Sequence, residues 1–113
     1  MKNQKILVVE DAPEMQLIIS AALSPKYSVK VAGTAAEAWK ELNQTNYSLV
    51  ILDVQLPDED GFALLAKIRL NSKTKDLVVF FITGKNKTSD KVTGFSLGAD
   101  DYLVKPVDVL ELQ

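Results

Sequence analysis

An uninterrupted apolar run that ends in a single acid limits the folds open to this chain. Leu49 to Leu52 are all apolar, and Asp53 follows them directly. A run without polar alternation is typical of a strand that is buried on both faces, as in a parallel sheet. Ligand sites of open α/β sheets lie at the carboxyl ends of such strands. The sequence therefore places Asp53 where chemistry is expected.

The pattern of a strand followed by a helix occurs five times along the chain. Strands are predicted at residues 5–9, 27–32, 49–53, 77–82 and 102–104. The second strand alternates apolar and polar residues, which favours a position at the sheet edge. We predict one domain over residues 1–113 with a flavodoxin-like (βα)5 fold, a doubly wound parallel five-stranded sheet of order 2-1-3-4-5. The last helix, after Pro106, is expected to be truncated.

Three kinds of sequence signal place the helices. Pro13 suits the first turn of a helix, and the apolar spacing that follows predicts helix one over residues 13–23. Thr34 and Glu37 form the pattern of a capping box for helix two. Asp60 or a neighbour is expected to cap helix three. The acids at 58–60 are otherwise interpreted as a solvated loop.

The composition narrows the classes of function. The 113-residue chain contains no cysteine and no histidine. Disulfide scaffolds, thiolate metal sites and nucleophiles that use histidine as a base are therefore excluded. The net charge of −2 provides no basic face for nucleic acid. No apolar run has the length of a membrane span or a signal-peptide core, so we expect a cytoplasmic protein without membrane contact.

Polar residues end or directly follow four of the predicted strands. These residues are Glu10 and Asp11, Asp53, Thr83, and Lys105. In a parallel sheet these strand ends share one edge, where three neighbouring carboxylates would repel each other and favour a cation. Oxygen donors without nitrogen or sulfur suit Mg²⁺. Each residue alone is commonly a turn, a cap or a surface charge, but their joint occurrence at successive strand ends favours a site.

This set of residue types suits phosphoryl transfer. Asp53 would attack phosphorus, while Mg²⁺ and Lys105 would neutralise the equatorial oxygens. Thr83 would donate a hydrogen bond to one of those oxygens. A phosphorylated aspartate brings further negative charge and new acceptor oxygens, so it can bias the protein between two conformations.

Four segments resemble the receiver domain of bacterial two-component response regulators. They are Ile-Leu-Val-Val-Glu-Asp at 6–11, the stretch 49–57 with Asp-Gly at 60–61, Thr-Gly at 83–84, and Gly-Ala-Asp-Asp-Tyr-Leu-Val-Lys-Pro at 98–106. The resemblance spans nearly the whole chain in order. It implies that Asp53 accepts a phosphoryl group from a sensor histidine kinase or a phosphotransfer protein. It also implies a signalling switch with no turnover reaction beyond slow loss of that group.

The resemblance implies a role for each residue of the metal site. Asp11 and Asp53 would bind Mg²⁺ directly, together with the backbone carbonyl of Gln55. Glu10 would act through a water molecule.

The resemblance also implies how the signal is read. Thr83 and Lys105 would contact the phosphoryl group, and Tyr102 would be the switch aromatic that turns inward when Thr83 moves. The surface made by helix four, strand five and helix five would change as a result.

A narrower resemblance is to regulators that carry a winged-helix DNA-binding domain. It is carried by Lys-Val-Thr-Gly-Phe at 91–95, by Gly-Ala-Asp-Asp-Tyr-Leu at 98–103, and by Pro106 with Glu-Leu at 111–112. It implies a homodimer in which Lys91 and Glu111 pair across the interface, while Asp100 and Asp101 meet arginines of helix five. DNA would be bound only through a separate output domain. Val107 departs from the Phe usual in that class, and these charges are also compatible with an ordinary surface.

Two other functions use related sheets. A haloacid-dehalogenase type hydrolase or phosphotransferase also has a strand-end aspartate nucleophile, but it needs a second aspartate where this chain has Gln55. A flavin or dinucleotide carrier needs a glycine-rich loop after strand one, where this chain has Glu10 and Asp11. The sequence therefore favours the receiver domain.

Overall fold

The computed structural model describes residues 4–83 and 101–104, with Thr83 and residues 101–104 described by their backbone alone. Strands and helices alternate as predicted over residues 5–83. The elements are β1 (Lys5–Val9), α1 (Pro13–Leu23), β2 (Ser28–Ala32), α2 (Ala35–Gln44), β3 (Leu49–Asp53), α3 (Gly61–Leu70), β4 (Val78–Thr83) and β5 (Asp101–Val104).

The five strands form one parallel sheet of order β2-β1-β3-β4-β5. This confirms the predicted order and the edge position of β2. The bounds of β1, α1 and β3 agree with the prediction. β4 begins and ends one residue later than predicted, because the Leu77 amide donates to the Thr74 carbonyl in a turn and Thr83 pairs with Val104.

Apolar residues fill both faces of the sheet. One face packs against α1, through Ile19 and Leu23. The other face packs against α2 and α3, through Ala38, Leu42 and neighbouring residues. Alternate residues of β1 and β3 serve the two faces, which explains why their sequences are apolar without interruption. Within the described part of the chain, no helix has the length and apolar character needed to cross a bilayer.

The first turn of α2 is fixed by side chains on both sides of it. Thr34 Oγ1 accepts a hydrogen bond from the Glu37 amide at 3.1 Å, as the capping box predicts. Glu37 Oε2 accepts from the Gly33 amide at 3.2 Å, one residue earlier than a regular capping box would have it. Trp39 is partly buried and packs against the apolar cluster between α2, α3 and the sheet.

A close backbone approach sets the start of α3. Asp60 Oδ1 accepts from the Phe62 amide at 2.7 Å, which confirms the predicted cap. The Gly61 amide donates to the Val54 carbonyl at 2.7 Å. A Cβ atom at Gly61 would clash with the Asp53 carbonyl oxygen and lie 2.9 Å from Val54 Cα. The opposing atoms are backbone, so only glycine fits without a shift of the chain.

We expect Gly61→Ala to lower the free energy of unfolding by about 2 kcal/mol, because the added methyl group overpacks against fixed backbone. Urea unfolding followed by circular dichroism measures this change. Gly33→Ala is the matched control, because its new Cβ would meet only Gln16 Nε2 at 3.9 Å, an ordinary contact. Equal stabilities for the two variants would contradict the prediction.

Candidate functional site

Three carboxylates meet at the carboxyl edge of the sheet. Glu10, Asp11 and Asp53 each place one carboxylate oxygen within 4.8 Å of the other two. Glu10 and Asp53 are 0% and 4% exposed, while Asp11 is exposed to solvent. The cluster thus joins two buried acids with one that faces water. The structure brings together the acids that the sequence predicted at the ends of the first and third strands.

The parallel register of β1 and β3 produces this cluster. Val9 pairs with Leu52, so the residues that follow them lie side by side. The backbone then holds Glu10 in place. Its amide donates to the Ala32 carbonyl at 3.0 Å, and its carbonyl accepts from Gln16 Nε2 at 2.5 Å. The Glu10 carboxylate accepts from the Ala12 amide at 3.1 Å.

The loop after β3 begins with a hydrogen bond to Asp53. The Gln55 amide donates to Asp53 Oδ1 at 3.1 Å. Gln55 also forms an isolated antiparallel bridge with Asp60, the residue that caps α3. These contacts place the Gln55 amide beside Asp53, while the role expected of the Gln55 carbonyl stays a prediction. They also leave little freedom to the chain between β3 and α3.

Asp58 has a role that the sequence interpretation missed. It is exposed, as a solvated loop predicts, but its two carboxylate oxygens accept from the amides of Ala35 at 2.9 Å and Ala36 at 3.0 Å. We call these two bonds the Asp58 tie. The hydrogen bond from the Ala35 amide is the main cause that lowers the pKa of Asp58. Partial desolvation acts in the opposite direction, and the bond from the Ala36 amide lowers the pKa further. The only sequence signal was the first turn of helix two, which has more unpaired backbone amides than the Thr34 side chain alone can satisfy.

The other acids of this loop follow the prediction more closely. Glu59 makes a 3.1 Å ion pair with Lys67, whose side chain is 51% exposed. Such pairs contribute little to stability. Asp60 acts as the helix cap. Glu59 and Asp60 thus contact α3, the helix that follows the loop, whereas Asp58 contacts α2.

The donor set of the cluster fits a hard divalent cation. Its three side chains offer oxygen only, and their mutual repulsion is relieved by a positive ion. Mg²⁺ prefers a few carboxylates and retains several of its waters. The exposed Asp11 leaves a side of the cluster open to such waters and to a phosphate oxygen.

The remaining predicted residues are only partly covered by the described structure. Asp53 pairs with Ile82, so Thr83 comes next on the neighbouring strand at the same sheet edge. Tyr102 lies in β5 and pairs with Phe81, and Asp101 begins that strand. Lys105, Lys91, Asp100 and Glu111 lie outside the described residues, and the roles given to them stay predictions.

Comparison with known families shows which class of protein this sheet and its acidic cluster belong to. The sequence model of the response regulator receiver domain matches residues 6–113. The chain belongs to the receiver domain family. It is thus a signalling domain of the two-component type, and nothing supports the haloacid-dehalogenase alternative.

Two curated relatives match this receiver domain along almost all of its length. It is 44% identical over 110 residues to the transcriptional regulatory protein PmrA of Pectobacterium parmentieri, covering 96% of this chain and 49% of that protein. It is 45% identical over 109 residues to the transcriptional regulatory protein BasR of Escherichia coli K12, covering 96% and 48%. The chain therefore spans about half the length of these relatives.

A solved structure confirms the fold. A putative response regulator from Chloroflexus aurantiacus superposes with a TM-score of 0.93 at 32% identity, covering 98% of this chain and 92% of the other. The flavodoxin-like prediction is therefore confirmed for the receiver domain.

The Asp58 tie should make stability depend on pH. Because its folded pKa is lowered from 3.8, the tie stabilises the protein at neutral pH and loses this effect as pH falls below that value. We expect the difference in unfolding free energy between wild type and Asp58→Asn to be present at pH 5 and to shrink as the pH falls below 3.8 towards pH 2. Urea unfolding at a series of pH values measures it. Glu59→Gln is the control, and a difference that stays constant over this range would contradict the assignment.

Proposed function

We propose that Asp53 is the phosphoacceptor of a phosphorylation-dependent switch. The observation that carries this proposal is the position of its carboxylate at the end of the central strand, within 4.8 Å of the Glu10 and Asp11 carboxylates. A sensor histidine kinase or a phosphotransfer protein is the donor. These 113 residues contain no histidine, so the phosphohistidine of the donor lies outside them.

The proposed reaction is a single transfer. A carboxylate oxygen of Asp53 forms a bond to phosphorus as the phosphorus–nitrogen bond of the donor breaks. The electron pair of that bond stays on the imidazole of the donor. Water later hydrolyses the acyl phosphate and returns Asp53 to its free form. This is a switch cycle without another substrate to turn over.

The acidic cluster is proposed to hold Mg²⁺. Asp11, Asp53 and the Gln55 carbonyl would bind it directly, with Glu10 acting through water. The ion supplies positive charge against the phosphoryl oxygens as they approach the carboxylates. Glu10 is buried, and the Ala12 amide holds its carboxylate next to that position.

Thr83, Lys105 and Tyr102 are proposed to read the phosphoryl group. The backbone supports the placement of Thr83, since it follows Ile82, the pairing partner of Asp53. Lys105 follows Val104, which pairs with Thr83. Contacts of Thr83 and Lys105 with the new oxygens would favour one conformation of the surface made by helix four, β5 and helix five.

Several broader proposals follow from the family. Residues 1–113 form one receiver domain, which acts in the cytoplasm. Two relatives are named transcriptional regulatory proteins. By analogy, DNA is bound through a separate output domain. Lys91, Asp100, Asp101 and Glu111 belong to the surface through which phosphorylated copies form a homodimer.

Acetyl phosphate with Mg²⁺ should add one phosphoryl group to the wild-type protein and none to Asp53→Ala, because the variant lacks the nucleophile. Intact-mass spectrometry measures the addition. Glu59→Ala removes a nearby acid outside the cluster and should be labelled like the wild type. Labelling that persists in Asp53→Ala would remove Asp53 from the mechanism.

Lys105→Ala should still bind Mg²⁺ but lose most of the conformational response to phosphorylation, because the ammonium that pairs with the phosphoryl group is gone. Calorimetry with MgCl₂ and amide spectra with and without acetyl phosphate measure the two effects. Lys67→Ala, on the exposed ion pair with Glu59, serves as the control. A full response in Lys105→Ala would show that this lysine is not part of the switch.

A further inference from the structure

We infer that Asp58 is a positioning residue for the metal site, and that it couples metal binding at Asp53 to the start of α2. This inference rests on the proposed function, because it takes Gln55 as a metal ligand. Its basis is the Asp58 tie, which joins the loop after β3 to amides 22 and 23 residues earlier in the chain.

The tie satisfies one specific pair of donors. The first amides of a helix have no carbonyl partner within the helix. In α2, Thr34 satisfies the Glu37 amide and Asp58 satisfies those of Ala35 and Ala36. The positive end of the helix dipole also favours a carboxylate there. Both effects hold Asp58 at the helix start.

The loop that carries Asp58 is held at its other points as well. Gln55 donates to Asp53, and Gly61 donates to Val54. Gln55 further bridges to Asp60. These contacts join the loop only to itself, to the end of β3 and to the start of α3. The Asp58 tie is different because it reaches across to a separate helix.

The helix at the far end of the tie is itself firmly placed. Ala35 and Ala38 are buried against the sheet at 1% and 0% exposure. The tie therefore connects the loop to a fixed support, and loss of it would let residues 55–58 move away from α2. Movement of Gln55 would disturb the geometry of a metal site, for which Mg²⁺ demands near-ideal octahedral coordination.

Coupling of this kind acts in both directions. If the tie raises the affinity for Mg²⁺, then Mg²⁺ must strengthen the tie by the same factor. Hydrogen exchange at the Ala35 and Ala36 amides should then slow when Mg²⁺ is added. The Glu37 amide, bonded within α2 to Thr34, should change less.

Calorimetric titration with MgCl₂ tests the inference on the full chain. We expect Asp58→Ala to raise the Kd by about 10-fold, as loss of a residue that orients a ligand does elsewhere. Asp58→Asn keeps one acceptor oxygen and should give a smaller rise. Glu59→Gln removes the same charge from the same loop without touching α2, and its Kd should match the wild type.

Two outcomes separate this inference from the proposed function. If the wild type binds no Mg²⁺, or Asp53→Ala binds it equally well, the proposed metal site is wrong. If the wild type binds Mg²⁺ at Asp53 and Asp58→Ala has the same Kd, with unchanged exchange at Ala35 and Ala36, only the coupling is wrong. Circular dichroism shows that the variants compared are folded, so a role of Asp58 in stability alone would leave the Kd unchanged.

Discussion

Repulsion among three carboxylates is the constraint on which the site depends. Glu10 and Asp53 are almost fully buried, where negative charge is costly without compensation. The fold supplies part of that compensation through the amides of Ala12 and Gln55, each 3.1 Å from a carboxylate oxygen. A bound cation would supply the rest. The parallel sheet keeps the acids together because the register of β1 and β3 places Glu10 and Asp53 side by side.

Much of this arrangement could be predicted from sequence. Continuous apolar runs identified β1 and β3 with their observed bounds, and the acids directly after or at their ends gave the cluster. These features are local in sequence, and the parallel sheet converts them into neighbours in space. The positions of Glu10, Asp11 and Asp53 therefore followed from the bounds of two strands and the parallel arrangement of the sheet.

What the sequence missed depends on contacts between distant residues. The Asp58 tie spans more than 20 residues, and an acid in a polar loop has the same local pattern whether it is bound or free. The one-residue shift of β4 has a different cause, which lies in the backbone. Leu77 is apolar but its amide is used in a turn, while Thr83 is polar but joins the ladder through its backbone. Strand bounds follow backbone hydrogen bonds, which side-chain polarity does not report.

The contact between Gly61 and the end of β3 has a consequence for chain length. The seven residues from Val54 to Asp60 begin next to Asp53 and lead to Gly61, whose amide donates back to the Val54 carbonyl. A residue inserted between them would have to break the Gln55 bond, the Asp58 tie or the Gly61 approach. Most surface loops tolerate insertions well. In this connection an insertion would disturb contacts at the metal site, so the length of the connection matters to the site as its acids do.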